Sequence, residues 1–347
     1  MRYNSICEDR TDAILAAHKP LAQWAVEGVL LSSDLVPHLL APLQLEDGAA
    51  AAVCSRWAEG WKATSEGRRR LRKVALDFPQ ELLDTPLMRM AVTPDGDELV
   101  VRSGSTVRII GRDMSSSGTI IELTNHHGEI AASEEFIYAS MYDEIGCFTH
   151  AGTEVTSYQL NDLPNKGIDC FTLAPGGLLF FNLFDQVGGP EHDVIVALDA
   201  QTLQPRHRFG LSLLSCACGM VVAGEELFVC DQNNDRLQVF SLAGEHRRSI
   251  TGQWKQPNQL CFVKDRLYLI EEQDYEKDEE GELINPLGGR RIFVLSLQGD
   301  TLQVYTHPMT HPEGQTFETL CYFDGKLLAP VRSRYSMTVE MVALSGA

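Results

Sequence analysis

One short unit recurs six times along the C-terminal three-quarters of the chain. An apolar run leads into a turn rich in Gly, Asp and Glu, and a second apolar run opens with a bulky residue. The clearest copies are Met220-Val221-Val222-Ala223-Gly224-Glu225-Glu226-Leu227-Phe228-Val229 and Leu260-Cys261-Phe262-Val263-Lys264-Asp265-Arg266-Leu267-Tyr268-Leu269. Short alternating runs cut by such turns read as antiparallel strands, because successive strand side chains point to opposite faces.

The bulky residues after the turns are Leu99, Phe136, Leu178, Leu227, Leu267 and Leu327, spaced by 37, 42, 49, 40 and 60 residues. Each interval holds four strands, and the two longest carry insertions at residues 185–193 and 271–291. A lone four-stranded sheet cannot bury both faces, whereas sheets stacked in a ring can. The expected fold class is therefore mainly β, a six-bladed β-propeller over residues 73–347 with four-stranded antiparallel blades. The sixth unit is one strand short. The run Val74-Ala75-Leu76-Asp77-Phe78 is the expected outer strand that closes the ring and removes exposed edges.

Residues 1–72 have a helical period instead. Ser33-Asp34 is a plausible N-cap before Leu35, Leu39, Leu40 and Leu43, and a further helix carries Val53, Cys54 and Trp57. Charge divides at the same place. Residues 1–80 hold 10 basic and 10 acidic side chains, so the net charge of −19 falls wholly on residues 81–347. Such a body repels phosphate backbones, so nucleic acid is not an expected partner. The basic run Arg68-Arg69-Arg70-Leu71-Arg72-Lys73 reads as a solvated helix end. No apolar run approaches about 18 residues, so no membrane partner is expected.

Nine scattered cysteines form no CxxC pair, and Cys216-Ala217-Cys218 is too tight for a zinc knuckle. Met1 to Arg10 contain Glu8 and Asp9 and no apolar core. These features point to reduced thiols in a cytoplasmic or nuclear protein that is not secreted.

Two stretches resemble known families. Asp231-Gln232-Asn233-Asn234-Asp235-Arg236-Leu237-Gln238-Val239-Phe240, ahead of a Gly244 turn, is similar to an NHL repeat, and Arg291-Ile292-Phe293-Val294 keeps that repeat's second half. Leu31 to Leu43 with Val53-Cys54-Ser55-Arg56-Trp57 resembles an F-box, although Ser32 stands where that family has proline and Gly48 where it has leucine. The resemblance implies docking to a Skp-type linker subunit of a cullin–RING ubiquitin ligase, with the propeller presenting a protein substrate. The residues that match the F-box apolar pattern are Leu31, Leu35, Leu39, Leu40, Leu43 and Val53, with Trp57, as linker contacts or module core. A plain helical cap on a propeller scaffold without ubiquitin function is the competing reading.

Turns between second and third strands share a face with the blade-to-blade connectors, and both insertions emerge there. Recognition is expected on that face, through Tyr142, Asn233, Trp254, Tyr275, His307, His311, Arg332, Arg334 and Tyr335. Residues 271–282 hold eight carboxylates without EF-hand spacing and read as a solvated loop. No nucleophile elbow, phosphate loop or dinucleotide fingerprint is present, and no cofactor is expected. The enzyme alternative is a calcium-dependent, gluconolactonase-like hydrolase with Glu129, Asp169, Asn258 and Glu318 around the axis, where an ion would polarise a lactone carbonyl.

Overall fold

The computed structural model describes residues 35–40, 57–59, 62, 69–85, 87–126, 128–160, 166–185, 193–272, 288–308, 315–333 and 339–347. The chain divides into two compact units, residues 1–72 with 345–347, and residues 73–344. In the first, helix α1 (Val36–Leu40) buries Val36 and Leu40, while Leu35 is 43% exposed. Leu39 lies in this helix, and Trp57 is half-buried in a further helical stretch. Leu31, Leu43 and Val53 lie outside the described residues.

The second unit is built from antiparallel meanders. Strand β1 (Arg72–Val74) and the single-turn helix α2 (Gln80–Leu83) precede blade 1, which runs β2 (Met88–Val92), β3 (Glu98–Ser103), β4 (Thr106–Gly111), β5 (Ser116–Glu122). Blade 2 follows as β6 (Ile130–Ala132), β7 (Phe136–Ser140), β8 (Glu144–Thr149), β9 (Glu154–Gln159). Blade 3 is β10 (Lys166–Ala174), β11 (Leu178–Asp185), β12 (Val194–Asp199), β13 (Pro205–Phe209). Blade 4 is β14 (Ala217–Ala223), β15 (Glu226–Asp231), β16 (Arg236–Ser241), β17 (His246–Thr251). Blade 5 is β18 (Pro257–Val263), β19 (Arg266–Glu271), β20 (Arg291–Ser296), β21 (Thr301–Thr306). In blade 6 the inner strand is split into β22 (Gln315–Phe317) and β23 (Cys321–Phe323), both paired with β24 (Lys326–Ser333), then β25 (Val339–Ser345) and β1.

Inner strands β2, β6, β10, β14, β18 and β23 each touch the next, and β23 returns to β2. The ring is closed with six blades. Strand alternation explains why stacking is obligatory. Leu179 and Phe181 of β11 enter the core shared with blade 2, whereas Phe180 between them enters the core shared with blade 4. Likewise Leu227 and Val229 face blade 3 and Phe228 faces blade 5. Each fully buried side chain of this kind contributes about 1.5–3 kcal/mol, and half of that set would be in water in an isolated blade. Cys170, Cys218 and Cys321 are buried in such surroundings as free thiols.

The six residues that mark the repeat open the second strands. Leu99, Leu227, Leu267 and Leu327 are fully buried, and Phe136 and Leu178 half-buried. The closing strand differs from expectation. It is residues 72–74, not 74–78. Beyond Val74 the chain leaves the sheet because Phe78 turns into the core between blades 1 and 6, with Met88, Met90 and Phe323, and Pro79 starts α2.

Hairpins joining third to fourth strands repeat one turn. In blade 4 the Ser241 amide bonds the Glu245 carbonyl and the Gly244 amide bonds the Ser241 carbonyl, with Gly244 at φ 89°. Blade 1 makes the same two bonds at Gly111 and Ser115, but Met114 holds the left-handed position at φ 62°.

Candidate functional site at the funnel mouth

Three or four residues into each second strand, the facing inner-strand residues form one layer across the axis. Arg89 faces Arg102, Gln259 faces Ile270, the Glu129 carbonyl accepts from the Ser140 amide, and the Glu318 amide donates to the Pro330 carbonyl. Asp169 joins them from a register shift between Ile168 and Phe171, and matching shifts interrupt β14 and β18 near Gly219 and Asn258. Such bulges re-aim side chains that strict alternation would bury in a blade. Gly219 is required at this level, because a Cβ there would strike the Asn258 carbonyl and Gln259.

The layer is tied across blades. Arg89 Nε donates to Glu129 Oε1 at 2.6 Å, and its NH1 lies 3.9 Å from Glu318 Oε2. Gln259 Nε2 reaches over from blade 5 to the same Glu129 oxygen at 3.0 Å. Glu318 also accepts from the Met88 amide at 3.0 Å and pairs with Arg332 Nε at 2.9 Å. Desolvation pulls the Arg89 guanidinium down, but Glu129 and Glu318 outweigh it and hold its pKa above the ordinary value. Burial raises the Glu318 carboxyl, with Arg89 opposing. Asp169 reaches solvent, yet the surrounding walls displace enough water to raise its carboxyl, and Glu129 adds to the shift while Arg89 opposes it.

Arg102 is 1% exposed and forms the wall behind this layer. It donates to the carbonyls of Gly104 at 3.0 Å, Ser140 at 2.6 Å and Asn125 at 2.9 Å, and burial pushes its pKa down to about 10. In front lies a cavity of about 310 Å³ whose lining includes Arg89, Glu129, Asp169, Tyr142 and Phe184.

The four residues expected around a calcium ion have thus been located. Glu129, Asp169 and Glu318 converge, but on a guanidinium, while Asn258 donates its amide to Glu272. Among the described residues no group of three or more His, Cys, Asp or Glu side chains is placed to share a metal ion. A divalent cation needs several oxygens directed at one point. Here Arg89 already takes that point, so the residues do not fit a resident ion.

The face expected to bind a partner is populated only in part. Tyr142 is 39% exposed and Asn233 is exposed. Both turns are bound to connectors, through the Ile168 amide to the Tyr142 carbonyl at 2.7 Å and the Asn233 amide to the Ser215 carbonyl at 3.2 Å. Arg332 is half-buried and engaged with Glu318. Trp254 and His307 are corrections to the sequence reading. Trp254 is 1% exposed against Phe293, and His307 is 2% exposed against Phe317, since a large ring in a connector gains more by folding back over the blade. Burial also lowers the His307 pKa. Tyr275, His311, Arg334 and Tyr335 lie outside the described residues.

The NHL-like turn of blade 4 is explained by Asp231. Fully buried, it accepts from the Ser215 amide at 2.7 Å, Arg236 Nε at 2.7 Å and Asn234 Nδ2 at 2.9 Å. Blade 5 repeats this with Glu271, which accepts from Arg291 at 2.6 and 2.7 Å and from the Lys255 amide at 3.1 Å.

No family model matches the chain, and no curated protein matches it. Solved structures do. A luciferin-regenerating enzyme aligns with a TM-score of 0.57 at 12% identity, over 80% of this chain and 95% of that one. A calcium-binding regucalcin from Agrobacterium tumefaciens gives 0.56 at 12% identity, over 79% and 98%. A streptogramin B lyase gives 0.51 at 12% identity, over 80% and 97%. At such identity the likeness is one of fold. No described helix is long and apolar enough to cross a membrane.

Proposed function

We propose that this chain is a non-catalytic receptor that binds a protein partner on the connector face of its propeller. The observation that carries this reading is Arg89: a guanidinium held by Glu129 and Glu318 stands where metal-assisted chemistry would need an open cation site. We further propose that the F-box-like residues deliver that partner to a cullin–RING ligase through a Skp-type linker. Leu35, exposed beside the buried Val36 and Leu40, is the residue of that pattern free to touch another protein. The test is co-purification of a Skp-type linker with the full chain and with Leu35→Asp. Recovery by the first and loss by the second supports the adaptor; no recovery by either leaves a scaffold without ubiquitin function.

The second reading is the calcium-dependent lactonase-like hydrolase. It draws on the fold likeness to regucalcin and on the convergence of Glu129, Asp169 and Glu318. Saturable calcium binding that falls away in Glu129→Gln would establish it.

A further inference from the structure

We infer that the funnel-mouth cavity receives a basic side chain, arginine or lysine, from the protein partner. This rests on the receptor reading above and adds the chemistry of what is read.

The argument begins with charge. Four ionised side chains line the cavity: Arg89, Arg102, Glu129 and Asp169. Arg102 is saturated by three carbonyls, and Arg89 and Glu129 engage each other. Asp169 has no hydrogen bond or ion pair among the described residues, and burial together with Glu129 and Glu272 disfavours its ionised form. A cation arriving beside it relieves that cost. An anion would add to it, and an apolar group would strip the remaining water from an unpaired carboxylate.

The walls suit the same guest. Tyr142 and Phe184 stand edge to face at 6.2 Å and 82°, so two aromatic rings flank the space next to the carboxylate. Carboxylate and aromatic surface together favour an ammonium or guanidinium over other groups of that size. A cavity of about 310 Å³ admits one long side chain with room for water. Tyr142 also sits at φ 73°, in the left-handed region that a bulky residue avoids. Its ring is kept at the mouth at the expense of backbone comfort, a signature of a placed side chain. Residues 81–347 carry 38 acidic and 19 basic side chains, so the field around the mouth steers basic segments inward.

The full chain is titrated with end-blocked peptides of Gly and Ser around one central arginine, lysine or citrulline, the last being the uncharged likeness of arginine. The arginine and lysine peptides are expected to bind roughly tenfold or more tightly than the citrulline peptide. Asp169→Asn should bring the arginine peptide down to the citrulline level. Tyr142→Gly should erase the discrimination while leaving the melting temperature unchanged or higher, because glycine suits φ 73°. Equal affinity for arginine and citrulline, no binding of either, or full discrimination in Asp169→Asn overturns the proposal. A protein partner still captured by Asp169→Asn discards this site and leaves the receptor reading standing.

Discussion

In blades 4 and 5 a buried carboxylate meets an arginine of its own blade; at the funnel mouth the arginine and its carboxylates come from different blades. Asp231–Arg236 and Glu271–Arg291 hold the same turn, although the first spans four residues and the second nineteen. The pair fixes where the strands leave and re-enter the sheet, so the loop beyond it is free to vary in length. The Arg89 layer does something else. It joins blades 1, 2, 5 and 6 around the axis and fills the centre with a cation that belongs to the chain.

The difference can be broken from either side. Asp231→Ala should have the largest effect, about 3 kcal/mol lost in denaturant unfolding, since it strips a buried ion pair and leaves the Ser215 amide unpaired. A loss below about 1 kcal/mol would mean that the turn holds without its carboxylate. Arg89→Gln should cost less, about 2 kcal/mol at neutral pH, because its partners are nearer to water.

Asp169 sharpens the contrast through pH. Its carboxyl is raised in the folded chain, so it favours folding below the unfolded carboxyl pKa of about 4, and that contribution is lost as pH rises through the folded value. Asp169→Asn should therefore melt higher than the parent at pH 7, with the gain vanishing below about pH 4. A gain that persists in acid would contradict the assignment. A change that touches neither set calibrates the rest. Met114→Gly, which relieves a left-handed backbone at φ 62°, should stabilise by about 0.5 kcal/mol. A destabilised variant would show that the Met114 side chain matters more than its backbone.

Much of the ring was legible in the sequence because its cause is local. Leu99, Leu227, Leu267 and Leu327 follow their turns at fixed distance, and alternation alone sends their neighbours to opposite cores. The Asp231–Arg236 turn was legible for the same reason. Its blade 5 counterpart was seen only from Arg291 onward, since Glu271 is one methylene longer than the motif's aspartate and nineteen residues away. Arg89, Arg102 and Gln259 went unnoticed. Each is an ordinary polar residue in its own unit, and they meet only when strands 40 to 170 residues apart reach the axis together. Aligning the six units on their facing pairs would have exposed the layer, but the bulges at Asp169, Gly219 and Asn258 shift that alignment by a residue. Trp254 shows the opposite failing, for an aromatic in a connector was read as surface when packing had buried it.

Whether the chain supplies its own central cation is settled by calorimetric titration of calcium chloride into the parent protein and Arg89→Gln. The parent should give only the heat of dilution, and the variant, with Glu129, Asp169 and Glu318 released, should give a saturable one-site curve. A saturable curve from the parent, abolished by Glu129→Gln, would return the funnel to metal chemistry and contradict the receptor account.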